Sequence, residues 1–181
     1  MARGLTFFYQ KMIDSVKNIV HEPHTQPVRW RWWLIALGLL TSDIVSKIAV
    51  QRYMPYGESI PFTGFFNLVH TWNTGAAFSF LANAGGWQRY FFLAVAIGAS
   101  IWLASELRKG QPTLKALSYS LIMGGALGNG VDRALRGYVV DYLDFHLGGW
   151  HWPAFNIADI GIVCGAALLI LAEMRQAKSS A

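Results

Sequence analysis

The sequence predicts an all-α membrane protein of four transmembrane helices, with a few short strands lying at one face of the bundle. Three observations predict it. Of 181 residues, 54% are hydrophobic and only 14% are charged, a balance too apolar for an ordinary soluble domain. The apolar residues gather into four runs of roughly twenty residues, each long enough to cross a hydrocarbon core. The basic residues sit at the ends of those runs rather than on one face. Membrane orientation therefore accounts for the net charge of +5, and no nucleic-acid surface is expected.

Residues 1–29 form a mixed polar leader. Leu5, Phe7, Phe8, Met12, Ile13, Val16, Ile19 and Val20 recur at helical spacing with Lys11, Asp14 and Lys17 between them, the pattern of a short helix lying on a membrane surface. Pro23 and Pro27 end it. Span one follows at 30–50, anchored by Trp30, Trp32 and Trp33 and followed by further spans, so it does not read as a cleavable signal. It carries Asp43 and Lys47, four apart and on one helix face, where each can neutralise the other. Two readings stand for this pair: a lock between span one and the bundle, or a lysine that meets a lipid headgroup or substrate.

The connection 51–86 is polar and aromatic. Ile60 to Asn73 is rich in β-branched and aromatic residues punctuated by Gly and Asn, and reads as short interfacial strands. Asn73-Thr-Gly-Ala-Ala-Phe78 then places an Asn side chain on a Gly-containing turn. Span two, 88–107, has no charge between Tyr90 and Ser105 and is plain scaffold; Lys109-Gly-Gln-Pro112 stops it. Span three, 114–135, contains Gly124-Gly-Ala-Leu-Gly128, a small-residue face for close helix contact. A short loop or helix rich in Gly and Trp leads to span four, 155–174, where Gly161 and Gly165 would pack against span three. Cys164 lies inside span four and is expected as a buried free thiol. Residues 175–181 form a polar tail.

Lys and Arg cluster in the leader, in the loop between spans two and three, and in the tail, whereas the other face has only Arg52, Arg89, Arg133 and Arg136. The positive-inside rule puts both termini in the cytoplasm and the β-like connection, Asn73, Asp141 and Asp159 at the outer surface.

Candidate chemistry follows from that placement. Asp159 lies in the first turn of span four, where an acid is expensive to hold in hydrocarbon and is a functional candidate by default. Asp141 lies across the Gly- and Trp-rich connection. Two aspartates close together in a low-dielectric setting cannot both ionise cheaply; one keeps a proton, and the pair can act on one water as acid and base. The bland alternative has both acids capping helices or pairing with Arg133 or Arg136. A metal site on His146, His151, Asp141 and Asp144 is the weaker reading, because exposed loop histidines are common. His21-Glu-Pro-His24 has its histidines three apart rather than the four of a zinc helix. A serine mechanism is disfavoured: Ser46 and Lys47 are helix neighbours that do not face each other. A small proton pathway would need acids on the inner half, which is bare.

Five motifs taken in order, Asp43-Ile-Val-Ser-Lys47, Asn73-Thr-Gly-Ala-Ala-Phe78, Gly124-Gly-Ala-Leu-Gly-Asn-Gly-Val-Asp-Arg133, Val139-Val-Asp141 and Phe155-Asn-Ile-Ala-Asp159, resemble the lipoprotein signal peptidase (signal peptidase II) family. The resemblance covers about residues 30–174 and implies a catalytic membrane domain there. It implies Asp141 and Asp159 as catalytic aspartates, with Asn73, Asn129, Arg133 and Asn156 lining the site and Asp43 and Lys47 supporting it. It implies an inner-membrane aspartyl endopeptidase, acting as a monomer without metal or cofactor, that cuts diacylglyceryl-modified prolipoproteins just before the lipidated cysteine. It also implies a small outer-face β-sheet cradle matching the stretch from Phe62 to Phe80, contact with membrane lipid, and block by globomycin-type inhibitors. Tyr142 departs from the Phe usual after the first catalytic Asp, and the leader is longer than is typical.

Overall fold

The computed structural model describes residues 30–75 and 85–179. The expected surface helix of the leader, the His21–His24 pair, the far end of the 62–80 stretch and the last two residues of the tail lie outside the described residues. Within them the chain runs α1 (Arg31–Tyr53), β1 (Ser59–Thr63), β2 (Phe66–Asn73), α2 (Gln88–Arg108), α3 (Thr113–Leu135), β3 (Val139–Leu147), β4 (Trp150–His151) and α4 (Ile157–Ser179).

Three helices, α1, α2 and α4, are long and apolar enough to cross a membrane. Their outward faces are apolar: Leu34, Leu37, Val45 and Ile48 on α1, Phe91, Val95 and Ile101 on α2, and Val163, Ile170 and Met174 on α4 are all exposed. The charged side chains Asp43, Lys47, Asp132 and Arg133 are buried instead. Water as the surrounding solvent would drive the opposite sorting, so an inside-out distribution on helices of this length fits a lipid environment. The fourth helix, α3, carries Lys115, Asp132 and Arg133 and packs against each of the other three.

The glycines of α3 make that central position possible. A Cβ on Gly124 would stand 2.6 Å from the carbonyl oxygen of Ala36 in α1, and one on Gly125 would collide with the carbonyl oxygen of Ala158 in α4. From the other side, a Cβ on Gly165 would lie 2.7 Å from Ile122 Cγ1 and 2.9 Å from the Ser118 carbonyl oxygen. Small residues thus bring three backbones into contact, where dispersion and not hydrophobicity holds membrane helices together. Trp32, Ala36, Leu103, Leu107, Ala116, Tyr119 and Met123 fill the core at the far end of the bundle from the sheet.

The sheet is antiparallel in the order β1-β2-β3-β4. Here the expected loop or helix between spans three and four is corrected: residues 139–147 are a strand pairing with β2, and they turn back through Gly148 and Gly149, both at positive φ, into β4. Val139, Val140, Tyr142 and Phe145 supply the β-branched and aromatic residues that favour a strand here, against Asp141 and Asp144, which do not. Its first four residues are buried on both faces: Val140 and Tyr142 face helix ends, and Asp141 on the opposite face is covered by Asn73 and Asn156. Val140 and Tyr142 pack there on Val50 and Met54, which close α1.

Candidate active site

The site sits where the N-terminus of α4 meets β3, α3 and α1. Asn156 and Asp159 form a reciprocal cap on α4. The Asp159 backbone N–H donates to Asn156 Oδ1 (3.0 Å), and the Asn156 backbone N–H donates to Asp159 Oδ2 (3.2 Å). This is a capping box with aspartate in the place usually held by glutamate. The remaining free N–H groups of the first turn go to other elements. Ala158 donates to Asp43 Oδ1 of α1 (2.9 Å) and Ile157 to the Tyr142 hydroxyl of β3. Tyr142 also shares a hydrogen bond with Ser46 Oγ of α1 (2.7 Å), and burial pushes its phenol above the ordinary range. The orientation of Asp159 is therefore referenced to α1 and to the sheet at once.

Asp141 is the third residue of β3 and is 2% exposed. Asn73, displaced by two residues from its cross-strand partner, donates through Nδ2 to Asp141 Oδ2 (3.1 Å), and Asn156 Nδ2 donates to Asp141 Oδ1 (2.6 Å). Asn156 thus touches both carboxylates, one by its side chain and the other by its backbone. Burial first, and the Asp159 carboxylate second, push Asp141 up from 3.8 to about 7, against the two amide donors, which act in the opposite direction.

Around the pair stands a ring of fixed donors. Asn129 of α3 donates through Nδ2 to Asp159 Oδ1 (2.8 Å) and accepts at Oδ1 from Lys47 Nζ (2.9 Å). Lys47 is wholly buried and also meets Asp43 (2.7 Å) and Asp132 (3.0 Å). Asp132 pairs in turn with Arg136 and accepts the Val140 N–H (3.2 Å), tying α3 to the start of β3. Arg133 donates to the carbonyls of Asn129 (3.3 Å) and Gly75 (2.6 Å), with its guanidinium over the Phe92 ring of α2. All eight residues singled out from the sequence, Asp43, Lys47, Asn73, Asn129, Arg133, Asp141, Asn156 and Asp159, therefore fall in one connected network. Asp132 joins them, outside the set expected to line or support the site. The signal for it was present, since Asn129, Asp132, Arg133 and Arg136 fall at i, i+3, i+4 and i+7, a single polar stripe on α3.

Four readings of the sequence are corrected. Asp144, grouped in the sequence with the loop histidines, is buried beneath Asn67 Nδ2 (2.8 Å) and His151 Nδ1 (2.9 Å). Burial alone would raise its carboxyl, but these partners outweigh burial and hold it below the ordinary range. Asp141 and Asp144, three apart on a strand, also point to opposite faces, which separates Asp141 from His146 and His151 as a joint metal site. Cys164 is exposed on α4, not buried. Arg136 pairs with Asp132 and not with either aspartate of the central pair.

A cavity of about 790 Å³ opens over the two aspartates. Asn73, Asn129, Arg133, Asp141 and Asp159 form its polar floor, Trp72 and residues 152–155 one wall, and Ile160, Ile162, Val163 and Cys164 an apolar wall running along α4. Such a site can bind an extended chain beside an apolar group and hold one water between two carboxylates.

The profile of Signal peptidase (SPase) II matches residues 35–175. The lipoprotein signal peptidase of Serratia marcescens is 53% identical over 144 residues, 79% of this chain and 85% of that one. That of Burkholderia vietnamiensis is 51% identical over 150 residues, 82% of this chain and 90% of that one. A bacterial membrane enzyme solved by the in meso method at 2.3 Å resolution superposes with a TM-score of 0.75 at 31% identity, covering 83% of this chain and 92% of the other. A second, solved by the same method at 1.9 Å, gives 0.68 at 33% identity, covering 78% and 91%. The motifs that anchor the polar network lie within the matched span, and the chain belongs to the signal peptidase II family.

Proposed function

We propose that this protein is an aspartyl endopeptidase of the bacterial inner membrane, cutting diacylglyceryl-modified prolipoproteins just before the lipidated cysteine. The observation that carries the reading is the sharing of one residue, Asn156, between two carboxylates at the floor of a half-apolar cavity. A peptide laid across that floor meets amide donors and Arg133, while a diacylglyceryl group on the next residue finds the apolar α4 wall.

The chemistry follows from the unlike surroundings of the two acids. Asp141, held near neutrality by burial and by its partner, carries the proton. Asp159 accepts a proton from the attacking water as the water oxygen bonds to the scissile carbon, and Asp141 gives its proton to the carbonyl oxygen, leaving a tetrahedral gem-diol. On collapse the proton on Asp159 passes to the amide nitrogen, one diol hydroxyl returns a proton to Asp141, and the C–N bond breaks. Both acids end as they began. Asn73, Asn129 and Asn156 hold them in place, Arg133 faces the developing oxyanion, and Asp43 with Lys47 supports the floor.

In this reading all four helices span the membrane, and residues 30–174 are the catalytic domain. The leader (1–29), the tail (175–181) and both termini are cytoplasmic. The sheet cradles substrate at the outer surface, the protein works as a monomer, and globomycin-type inhibitors occupy the same cavity. Cleavage of a lipidated prolipoprotein by detergent-purified Asp141→Asn and Asp159→Asn tests it. Each single variant loses several orders of magnitude, since general acid–base assistance is worth roughly a hundred- to ten-thousand-fold per group. The double variant is little worse than either, because groups acting in one step are not additive. Substantial turnover by either single variant overturns the two-aspartate mechanism, and equal cutting of the unlipidated precursor overturns the substrate assignment.

A further inference from the structure

The three amides that touch the two aspartates all present N–H groups to a carboxylate, and in each the carbonyl is held by a group that can only donate. Asn73 Oδ1 accepts the backbone N–H of Gly75 (3.0 Å), and Asn156 Oδ1 accepts the backbone N–H of Asp159 (3.0 Å). Those two orientations are written into the backbone. Asn129 differs, because its Oδ1 faces the ammonium of Lys47 (2.9 Å), a side chain from another helix, with only a long contact to Asn156 Nδ2 (3.4 Å) besides. An ammonium has three donors and no acceptor. Reversing the Asn129 amide would set NH2 against NH3⁺.

The distinction matters during turnover. While Asp159 is ionised, its own charge keeps the Asn129 NH2 turned toward it. Once Asp159 has taken a proton from water, that restraint is gone: a free amide would turn its carbonyl to accept the new O–H, and so hold the proton on Asp159. We propose that Lys47 is a positioning residue whose donor-only ammonium locks Asn129 as a hydrogen-bond donor to Asp159 through both protonation states, so that Asp159 releases its proton to the leaving nitrogen. The inference rests on the two-aspartate reading above. It gives the buried cation a role apart from neutralising Asp43 and Asp132.

The groups facing Asp159 are Asp141 and Tyr142 from β3, Arg133 and Asn129 from α3, its own cap residue Asn156 and, through Asn129, the Asp43–Lys47–Asp132 cluster. A test must therefore unlock the amide while keeping the charge balanced. Lys47→Met combined with Asp43→Asn does so, because the substituted side chain at position 43 keeps a carbonyl oxygen for the Ala158 N–H and the Asp132–Arg136 pair is untouched. The kcat–pH profile for lipidated prolipoprotein and the melting temperature are measured together. The expected result is a melting temperature close to wild type, kcat lower by roughly ten- to a hundred-fold, KM within a few-fold, and the acid limb of the kcat profile moved to higher pH by about one unit. A double variant with wild-type kcat and an unmoved acid limb overturns the lock, as does a loss of kcat that tracks a loss of folded protein with the limb unmoved. Should the double variant not accumulate, Lys47→Arg and the charge-balanced pair Lys47→Gln with Asp43→Asn decide the matter. Arginine, also donor-only, keeps the limb where it is and glutamine moves it; identical limbs overturn the proposal. If Asp141→Asn and Asp159→Asn are inactive while the Lys47 variants leave the limb in place, the lock alone is wrong; if the aspartate variants are active, the underlying mechanism is wrong.

Discussion

Replacing Asp141 with asparagine should make the protein inactive and, above neutral pH, more stable. Burial and the neighbouring Asp159 hold Asp141 at about 7 in the folded protein against 3.8 in an unperturbed chain. A group whose folded value is raised contributes stability that is complete below its unfolded value and is lost as pH rises through its folded value. For Asp141 the window runs from about 4 to about 7. Roughly three pH units at about 1.4 kcal/mol each amount to about 4 kcal/mol of stability lost across it. Asparagine has no such dependence, but it can accept only one of the two amide donations now made by Asn73 and Asn156. The resulting encounter of two NH2 groups costs about 1–3 kcal/mol at every pH. The two curves therefore cross: the variant is weaker than wild type near pH 4, matches it between about pH 5 and 6, and is stronger by about 1–3 kcal/mol at pH 8. For a chain of this size that margin is worth roughly 2–4 °C per kcal/mol in melting temperature. Thermal unfolding in detergent, followed by tryptophan fluorescence from about pH 4 to 9, reads it. Parallel curves across the whole range would refute the claim that the surroundings of Asp141 keep it protonated.

Gly125→Ala should lower the melting temperature by several degrees and reduce cleavage further than stability alone predicts, since the new methyl strikes the backbone of Ala158, next to Asp159; a variant with wild-type activity would show that α4 can yield. Tyr142→Phe removes the link to Ser46 and one acceptor for the α4 cap, and should cost about 1 kcal/mol with cleavage within a few-fold of wild type; guanidinium or thermal unfolding in micelles checks it, and a hundred-fold loss of cleavage would mean that the hydroxyl does more than staple. Reporter fusions after Lys109 and at the C-terminus should report cytoplasm and one near Gly64 the outer side; an outer-side signal from the C-terminal fusion would end the four-span arrangement with both ends inside.

The helices were legible because long apolar runs with charged ends have few other solutions, and the boundaries of α2 and α3 fall within a residue of those expected. The rotation of each helix was legible only where small or polar residues mark a face. In α4, Gly161 and Gly165 meet α3 as expected, but the apolar residues around them do not show how far the packed face extends, and Cys164, expected inside, is exposed. Strand β3 was hidden for a related reason: buried on both faces over its first four residues, it lacks the alternation that marks a half-buried strand, and its acids read as loop residues. For the same reason Asp144 reads as solvent-exposed, whereas Asn67 and His151 cover it. The polar network was readable as a set of residues, because each polar group within an apolar run calls for a partner. Which partner each one takes depends on helix rotation and sheet register, and only the three-dimensional arrangement gives that.

Asp159 is at once a helix cap and one of the paired acids, so two separate filters act on what can stand at that position. Glutamate and glutamine can each close the first turn of α4 from this position and are the usual residues there. Neither returns a carboxylate of the right reach opposite Asp141: glutamine lacks the acid, and glutamate carries it one methylene too far. A saturation library sorted first for folded protein and then for cleavage should therefore separate sharply at residue 159. The set tolerated for folding is the broader one, and the set for activity is a single residue.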